Sequence, residues 1–467
     1  MLKIYNTLHR KKEIFKPINP KKINIYICGV TPYDFCHIGH GRTFIIFDMI
    51  IRYFKHIGYE VNYIRNITDI DDKIINQAIL NKKTIFTLTN DMIKAMNKDF
   101  KLLNLILPNF EPKVTECITE IINFIKKLIK KNHAYIAKNG DVMFNIKTYK
   151  NYGCLSHQKI NYLKLNTRIN VSSKVNCEDF VLWKYDASNQ TFNFKSPWGY
   201  GRPGWHIECS AMSYKYFGKK FDIHGGGSDL IFPHHENEIA QSVCAYDSES
   251  YPNYWIHSGM VMLNSVKMSK SLGNVFILKN ILKKYDSETI RYFALSSHYR
   301  KPINCTLKSF DQAESALRHL YKALNNTHEI EDNTNYTKEY DISFCNAMNN
   351  DFNTPKAYSI LFKIAQKINF YKKNRKDKIV NLLATKLRKL GNILGLLNND
   401  SSYFLNKKTP TISTIELDQI NELIIIRNNA RKEKNWILAD KIRERLKKMD
   451  ILIEDTLKGS FFKKKHK

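Results

Sequence analysis

A chain of 467 residues with 43% hydrophobic content is long enough for two to four domains around a sizeable core. No apolar run approaches the ~20 residues of a membrane span and no signal-peptide core stands at the start, so the sequence predicts a cytoplasmic protein without a membrane partner. A net charge of +30 fits a polyanionic partner such as RNA or DNA, and fits equally well a lysine excess from A+T-rich coding, as in the run 372–378.

Residues 1–22 are polar and basic and lead into a first predicted strand in which Ile23, Ile25 and Ile27 alternate. Pro32 and Gly39 punctuate a loop, and Phe44, Phe47, Ile51 and Phe54 recur at helical spacing until Gly58. Strand, loop and helix in this order form a unit of a nucleotide-binding α/β fold. The loop puts His37 and His40 three residues apart beside a helix N-terminus, where backbone N–H groups already favour phosphate. Val61–Asn66 reads as the second strand, and Asp69, Asp71 and Asp72 as a carboxylate-rich first helical turn.

From about residue 88 to 200 the α/β alternation lapses, which predicts an insertion between the halves of a doubly wound sheet. Inside it, Asn139-Gly140 joins two β-prone runs and predicts a type I′ hairpin. Segment 156–178 reads as a loop and Phe180–Trp183 as a short strand. Gly201–Cys209 is a turn entering a helix, and Phe221–Asp229 a strand running into three glycines, which allow close backbone approach to a ligand. Pro233 is expected to start a helix on which His234 and Glu238, four apart, share one face. An apolar run, Tyr254–Leu263, leads to Lys267-Met-Ser-Lys270-Ser271, which suits either a polyphosphate clamp or a solvated loop.

Beyond about residue 310 the pattern is helical, with polar linkers at about 325–340 and 401–414. Two last helices run through Ile420, Leu423 and Ile424, and through Trp436, Ala439, Ile442, Leu446 and Met449. Residues 427–467 hold 14 Lys or Arg against 6 Asp or Glu, so the basic surplus is concentrated there. The nine cysteines are irregularly spaced and odd in number, which argues against a disulfide framework and leaves open which of them bind metal.

Taken together these segments resemble the cysteinyl-tRNA synthetases, a family of class I aminoacyl-tRNA synthetases, over essentially the whole chain. His37–His40 matches the HIGH signature and Lys267–Ser271 the KMSKS signature. Cys28-Gly29, Asn66–Asp72, Gly201–Cys209, Asp222–Leu230 and His234–Glu238 match the marks specific to cysteine. The resemblance implies an α/β fold: a doubly wound, Rossmann-like catalytic domain (1–315, with the insertion at about 88–200), a helical domain (316–400) and a basic anticodon-binding domain (401–467).

It further implies that Cys28, Cys209, His234 and Glu238 hold one Zn²⁺, which spacing alone does not show. His235, about 100° around an ideal helix, would stand outside that set. Gly29, Thr68, Trp205 and His224 would line the amino-acid pocket. His37, His40, Gly225, Gly227, Asp229 and Lys270 would bind ATP with its Mg²⁺, Lys267 supporting Lys270. Arg427, Arg431, Trp436, Arg443 and Asp455 fall in the tRNA-reading part, where Trp436 would stack on a base or pack in a core. The implied substrates are L-cysteine, ATP and cysteine tRNA, and the implied state a monomer.

Two departures stand out: Cys117, where the family often has histidine, and the ending Gly459-Ser-Phe-Phe-Lys, where a tryptophan is usual. A cysteine ligase acting on a small amine would not need the basic C-terminal part. A non-catalytic RNA-binding paralogue would have lost a signature histidine, lysine or metal ligand, and none is lost.

Overall fold

Ile23, Ile25 and Ile27 point to one face of the strand Lys22–Val30, and Tyr26 and Cys28 to the other; each set enters a separate apolar core. Each fully buried isoleucine contributes about 1.5–3 kcal/mol relative to exposure. A strand buried on both faces belongs inside a parallel sheet. Its neighbours are Glu60–Ile67 on one side and Ile223–Gly227 on the other, with Tyr254–Ser258 outermost, all parallel. The order reverses at Lys22–Val30, and the carboxyl ends of all four strands open on the same side, where ligands bind in such sheets. This is the expected doubly wound sheet.

The computed structural model describes residues 1–158, 174–187, 192–247, 251–263, 266–267, 276–332, 335–406, 414–433, 435–448, 451–456 and 459–464. These fall into two units, Met1–Leu405 and Asn406–Lys467.

In the first unit the helix Ile38–His56 crosses from the first strand to the second. Its burial extends beyond the predicted stripe, to Ile45, Ile46, Met49, Ile50 and Tyr53, because later helices cover its outer side; Tyr53 donates to Asn349 Oδ1 at 2.9 Å. Gly58, at φ +95, permits the turn that ends it.

The insertion carries the helices Ile85–Leu102 and Ile118–Lys130 and a five-stranded antiparallel sheet reaching Pro203. Its hairpin joins Ala134–Ile136 to Val142–Phe144. The type I′ expectation fails: Gly140 alone takes a positive φ (+88), and its N–H donates to Ala137 O. The turn is therefore a tight turn followed by a left-handed glycine, the geometry of a bulged three-residue loop. Residues 159–173 of the expected 156–178 loop lie outside the described residues.

Leu307–Leu324, Lys338–Asn349, Thr354–Lys373 and Asp377–Ile393 form the expected helical region. The expected boundary at 315–316 falls inside the first of these helices, and Leu317, Leu361, Leu383 and Phe404 share a core with Ile23. Buried Asp351 ties this region to the sheet domain, accepting from Tyr5 N at 2.9 Å, Tyr299 Oη at 2.7 Å and Arg300 Nε at 2.8 Å.

The second unit contains two packed helices, Thr414–Lys432 and Trp436–Lys448, with Ile424, Ala430, Ala439, Ile442 and Leu446 buried. An antiparallel hairpin, Ile451–Thr456 with Gly459–Lys464, follows and was not expected from the sequence. Among the described residues no helix is long and apolar enough to cross a membrane.

Candidate active site

The turn that starts Ile38–His56 is built by its two histidines. His37 Nδ1 accepts from Gly39 N at 3.1 Å and His40 N at 3.4 Å, while His40 Nδ1 accepts from His37 N at 3.2 Å. The rings stack with centroids 3.8 Å apart. With both Nδ1 atoms accepting, each neutral ring carries its proton on Nε2, which makes that edge the donor. Gly39 is required here, since a Cβ would stand 2.8 Å from the His37 ring.

At the other end of the site, residues from three distant stretches converge in the interior. Cys28 Sγ lies 3.7 Å from Cys209 Sγ, 3.5 Å from Glu238 Oε1 and 3.2 Å from His235 Nε2. His234 Nε2 is 3.1 Å from the same carboxylate oxygen. Ligand atoms of Cys28, His234, His235 and Glu238 all fall within 4.8 Å of one another, and Cys209 joins them through Cys28 and a hydrogen bond to His234. This donor set of thiols, imidazoles and a carboxylate is chemically able to hold a soft or borderline divalent metal.

Local structure explains why His235 joins the group. Ile231–His235 forms one wide turn closed by Glu236 N–H to Ile231 O, with Phe232 extended, and the regular helix begins only at Glu236. The expected helix start at Pro233 is corrected accordingly, while His234 and Glu238, four apart, meet as expected, Nε2 to Oε1 at 3.1 Å. The wide turn aims both imidazoles at Glu238, with His235 Nε2 3.9 Å from Oε1.

Charge in this interior is organised by proximity. The Cys28 thiol donates to Cys209, holding the latter down at about 6, while burial pushes Cys28 well up; the pair keeps one proton. Burial opposes the charged form of Glu238, but His224 and His234 outweigh it and hold the carboxyl at about 2. Burial likewise opposes a charged His234, yet Glu238 and Cys209 raise it to about 10. Such displacement in a buried cluster is characteristic of functional sites.

A cavity of about 320 Å³ connects the two ends. Its wall includes Cys28, Gly29, Cys209 and His234 on the sulfur side, His37 and His40 on the other, and Thr68, Trp205, Gly227 and Asp229 between them. His224 is not on the wall: it is fully buried behind Glu238, with Nε2 2.9 Å from Oε2. Gly225 is set back as well, where a Cβ would meet the Phe47 ring at 2.3 Å. Lys267 is a strand residue paired with Met262, and Lys270 lies outside the described residues. In the second unit Trp436 is 57% exposed, which removes the core alternative; Arg431 and Arg443 are exposed, Arg427 is buried, and Asp455 lies on the hairpin.

Several residues of the site have no role assigned from the sequence, although Asn66 and Glu208 stand inside matched segments. Asn66 Oδ1 accepts from Gly29 N at 2.9 Å, closing the sheet over the cavity floor, where a Cβ on Gly29 would fall 1.5 Å from Asn66 O. Glu208 is buried and accepts from Thr68 Oγ1 at 2.8 Å, fixing that hydroxyl. His257 Nε2 lies 2.8 Å from His235 Nδ1. Ser258–Val261, read from sequence only as part of an apolar run, supply a whole side of the cavity.

A family model described as the tRNA synthetases class I (C) catalytic domain matches residues 14–315, and a DALR domain model matches 343–398. The chain is 53% identical to a cysteine–tRNA ligase of Baumannia cicadellinicola subsp. Homalodisca coagulata, over 99% of this chain and 100% of that one. It is 52% identical to one of Buchnera aphidicola subsp. Acyrthosiphon pisum (strain Tuc7), over 100% of both. Among solved structures it is similar in fold to Mycobacterium tuberculosis methionyl-tRNA synthetase in complex with methionyl-adenylate, at TM-score 0.57 and 13% identity, covering 86% of this chain and 94% of that one. A leucyl enzyme from Agrobacterium radiobacter, solved as a ternary complex with tRNA, gives the same TM-score at 11% identity, over 94% and 95%.

Proposed function

The chain belongs to the cysteinyl-tRNA synthetase family of class I aminoacyl-tRNA synthetases, and we propose that it activates L-cysteine with ATP and transfers it to the 3′-terminal adenosine of cysteine tRNA. The observation that carries this reading is the single cavity with a buried sulfur-rich donor group at one end and a stacked imidazole pair on a helix N-terminus at the other. One end suits a thiol substrate and the other a nucleotide phosphate.

The donor set fits Zn²⁺, with Cys28, Cys209, His234 and Glu238 as its ligands. Bound there, the ion would supply a soft site that favours a thiolate over the harder and far less acidic hydroxyl of serine. Apolar packing could not match this, because near-isosteres separate by only ~100-fold in such pockets. Behind the set, His224 orients Glu238 and His257 orients His235, fixing which atoms face inward.

In the first step the cysteine carboxylate attacks the α-phosphorus of ATP, and pyrophosphate leaves with its Mg²⁺. The Nε2–H edges of His37 and His40 donate to phosphate oxygens as charge develops on them. Lys270, supported by Lys267, holds the leaving pyrophosphate. Gly227 and Asp229 hold the adenosine, the carboxylate accepting from ribose hydroxyls, and Gly225 lets their strand close onto Phe47. Gly29, Thr68 and Trp205 surround the amino acid, Trp205 lying 4.4 Å from the His234 ring.

In the second step the terminal ribose 2′-OH attacks the adenylate carbonyl and AMP leaves. Arg431 and Arg443 contact tRNA backbone, Trp436 stacks on an unpaired base and Asp455 joins them, while Arg427, being buried, is withdrawn from the contacting set. The enzyme works as a cytoplasmic monomer. Charging of cysteine tRNA with labelled cysteine against serine, alongside bound zinc per chain, tests the reading. Cysteine-only charging with about one zinc per chain is the expected result. Adenylate formation without charging would point to a small-amine ligase instead.

A further inference from the structure

Arg42, two residues beyond the second signature histidine, is a cation in an unusual setting. Its side chain is fully buried, and Nη1 donates to Gly259 O at 2.7 Å and Met260 O at 3.0 Å. Nη2 donates to Lys301 O at 2.7 Å and Ser297 Oγ at 3.1 Å. All four acceptors are neutral oxygens, although a buried charge is ordinarily matched by a carboxylate. Burial lowers the guanidinium to about 10, so it stays protonated at neutral pH.

The acceptors lie on two segments that are themselves joined. Gly259 N donates to Tyr299 O at 2.7 Å and Ile303 N to Met260 O at 3.0 Å, and a Cβ on Gly259 would stand 2.3 Å from Lys301 O. Thr43 Oγ1, beside Arg42, lies 2.9 Å from Ser258 Oγ. Gly259 and Met260 line the cavity and lead directly into the strand Val261–Leu263, in which Met262 pairs with Lys267. One planar fork thus locks the helix that presents His37 and His40 to the root of the strand pair that carries the first KMSKS lysine.

We propose that Arg42 is a positioning residue for adenylate formation, setting the strand that leads to Lys267 at a fixed distance from the His37–His40 pair. The inference rests on the functional reading above and adds to it a residue outside both signatures. Its logic is geometric. Two phosphate-binding elements far apart in sequence act together only if something rigid spans them, and misplacement by about 1 Å can cost on the order of a hundredfold in rate.

Arg42→Lys keeps the charge and loses the two-sided fork. In that variant kcat for cysteine-dependent ATP–pyrophosphate exchange should fall about tenfold or more, with the KM for cysteine and the bound metal within about twofold. Single-turnover transfer of cysteine from preformed cysteinyl-adenylate to tRNA should also stay within about twofold, a readout that general structural damage would not spare. Wild-type exchange in Arg42→Lys, or equal loss in activation and transfer, overturns the inference. Should that variant fold poorly, Ser297→Ala removes one acceptor and leaves the guanidinium. A loss of about two- to threefold confined to exchange is then expected, and no loss overturns the inference. Absence of exchange in the wild-type enzyme would instead remove the functional reading and this inference with it.

Discussion

The two ends of the cavity are assembled in opposite ways. His37, Gly39 and His40 come from one half-buried turn whose rings are set by hydrogen bonds the turn makes to itself, with Ile38 N donating to Phe276 O at 2.9 Å beside them. Cys28, Cys209, His234 and Glu238 come from a strand end, a helix, a wide turn and a second helix, and meet only once the sheet and its covering helices have formed. Function at the first end therefore reports a local conformation, and metal retention at the second reports the assembled fold. The largest predicted effect separates them. Cys209→Ser should release bound zinc and raise the KM for cysteine about a hundredfold or more, while the KM for ATP changes only a few-fold. Metal analysis beside exchange kinetics checks this, and a matching rise in the ATP constant would show that the ends are not independent.

The converse variant acts on the local end. Gly39→Ala puts a Cβ 2.8 Å from the His37 ring and must displace it. Adenylate formation should fall about tenfold or more with bound zinc unchanged. Alanine's helix preference over glycine, roughly 1 kcal/mol, offsets the loss of the His37 cap on Gly39 N and His40 N, so the melting temperature should change little. Lost activity at undiminished stability is the signature to look for. A drop in both would mean that the turn itself had failed.

What could be read from sequence follows the same division. The alternation of Ile23, Ile25 and Ile27 and the spacing from Phe44 to Phe54 are local periodicities, and they located the strand and helix that frame His37 and His40. The grouping of Cys28 with Cys209 has no local signal, because 181 residues separate them; only the family resemblance brought them together. An ideal helix turns His235 about 100° away from the metal-binding set, and the wide turn at Ile231–His235 breaks that geometry. The Gly140 turn departs from its expected type for a related reason. An Asn-Gly pair permits two positive φ values, while the loop uses only one. The C-terminal hairpin carries no period-two signal, since Ile451-Leu-Ile runs straight into Glu454-Asp455 and Phe461-Phe462 into Lys463-Lys464.

A smaller effect distinguishes the two units. Trp436 is largely exposed on a helix whose buried face is made by Ala439, Ile442 and Leu446, so its indole contributes little to packing. Trp436→Ala should leave cysteine-dependent exchange unchanged and weaken tRNA charging through KM by about 1–3 kcal/mol, the worth of one stacked base. Filter binding of labelled tRNA reads this directly. Equal affinity of wild type and variant would place the tRNA contacts elsewhere on the unit.

The smallest expected change lies outside both ends and serves as their control. Asp99 is buried in the helix Ile85–Leu102, its Oδ2 has no hydrogen-bond partner among the described residues, and burial raises its carboxyl to about 6 against the opposing pull of Lys279 and Lys98. The folded state therefore holds this proton more tightly than the unfolded chain, where the ordinary value is 3.8. Its stabilising contribution is fully present below that value and is lost as pH rises through about 6, leaving a buried charge at neutral pH. Asp99→Asn should raise stability on the order of 1 kcal/mol at pH 8 and by nothing measurable near pH 3.5, with exchange kinetics and zinc content untouched. Melting curves across that range decide the cause: a gain that persists in acid would assign it to packing of the amide rather than to removal of the charge.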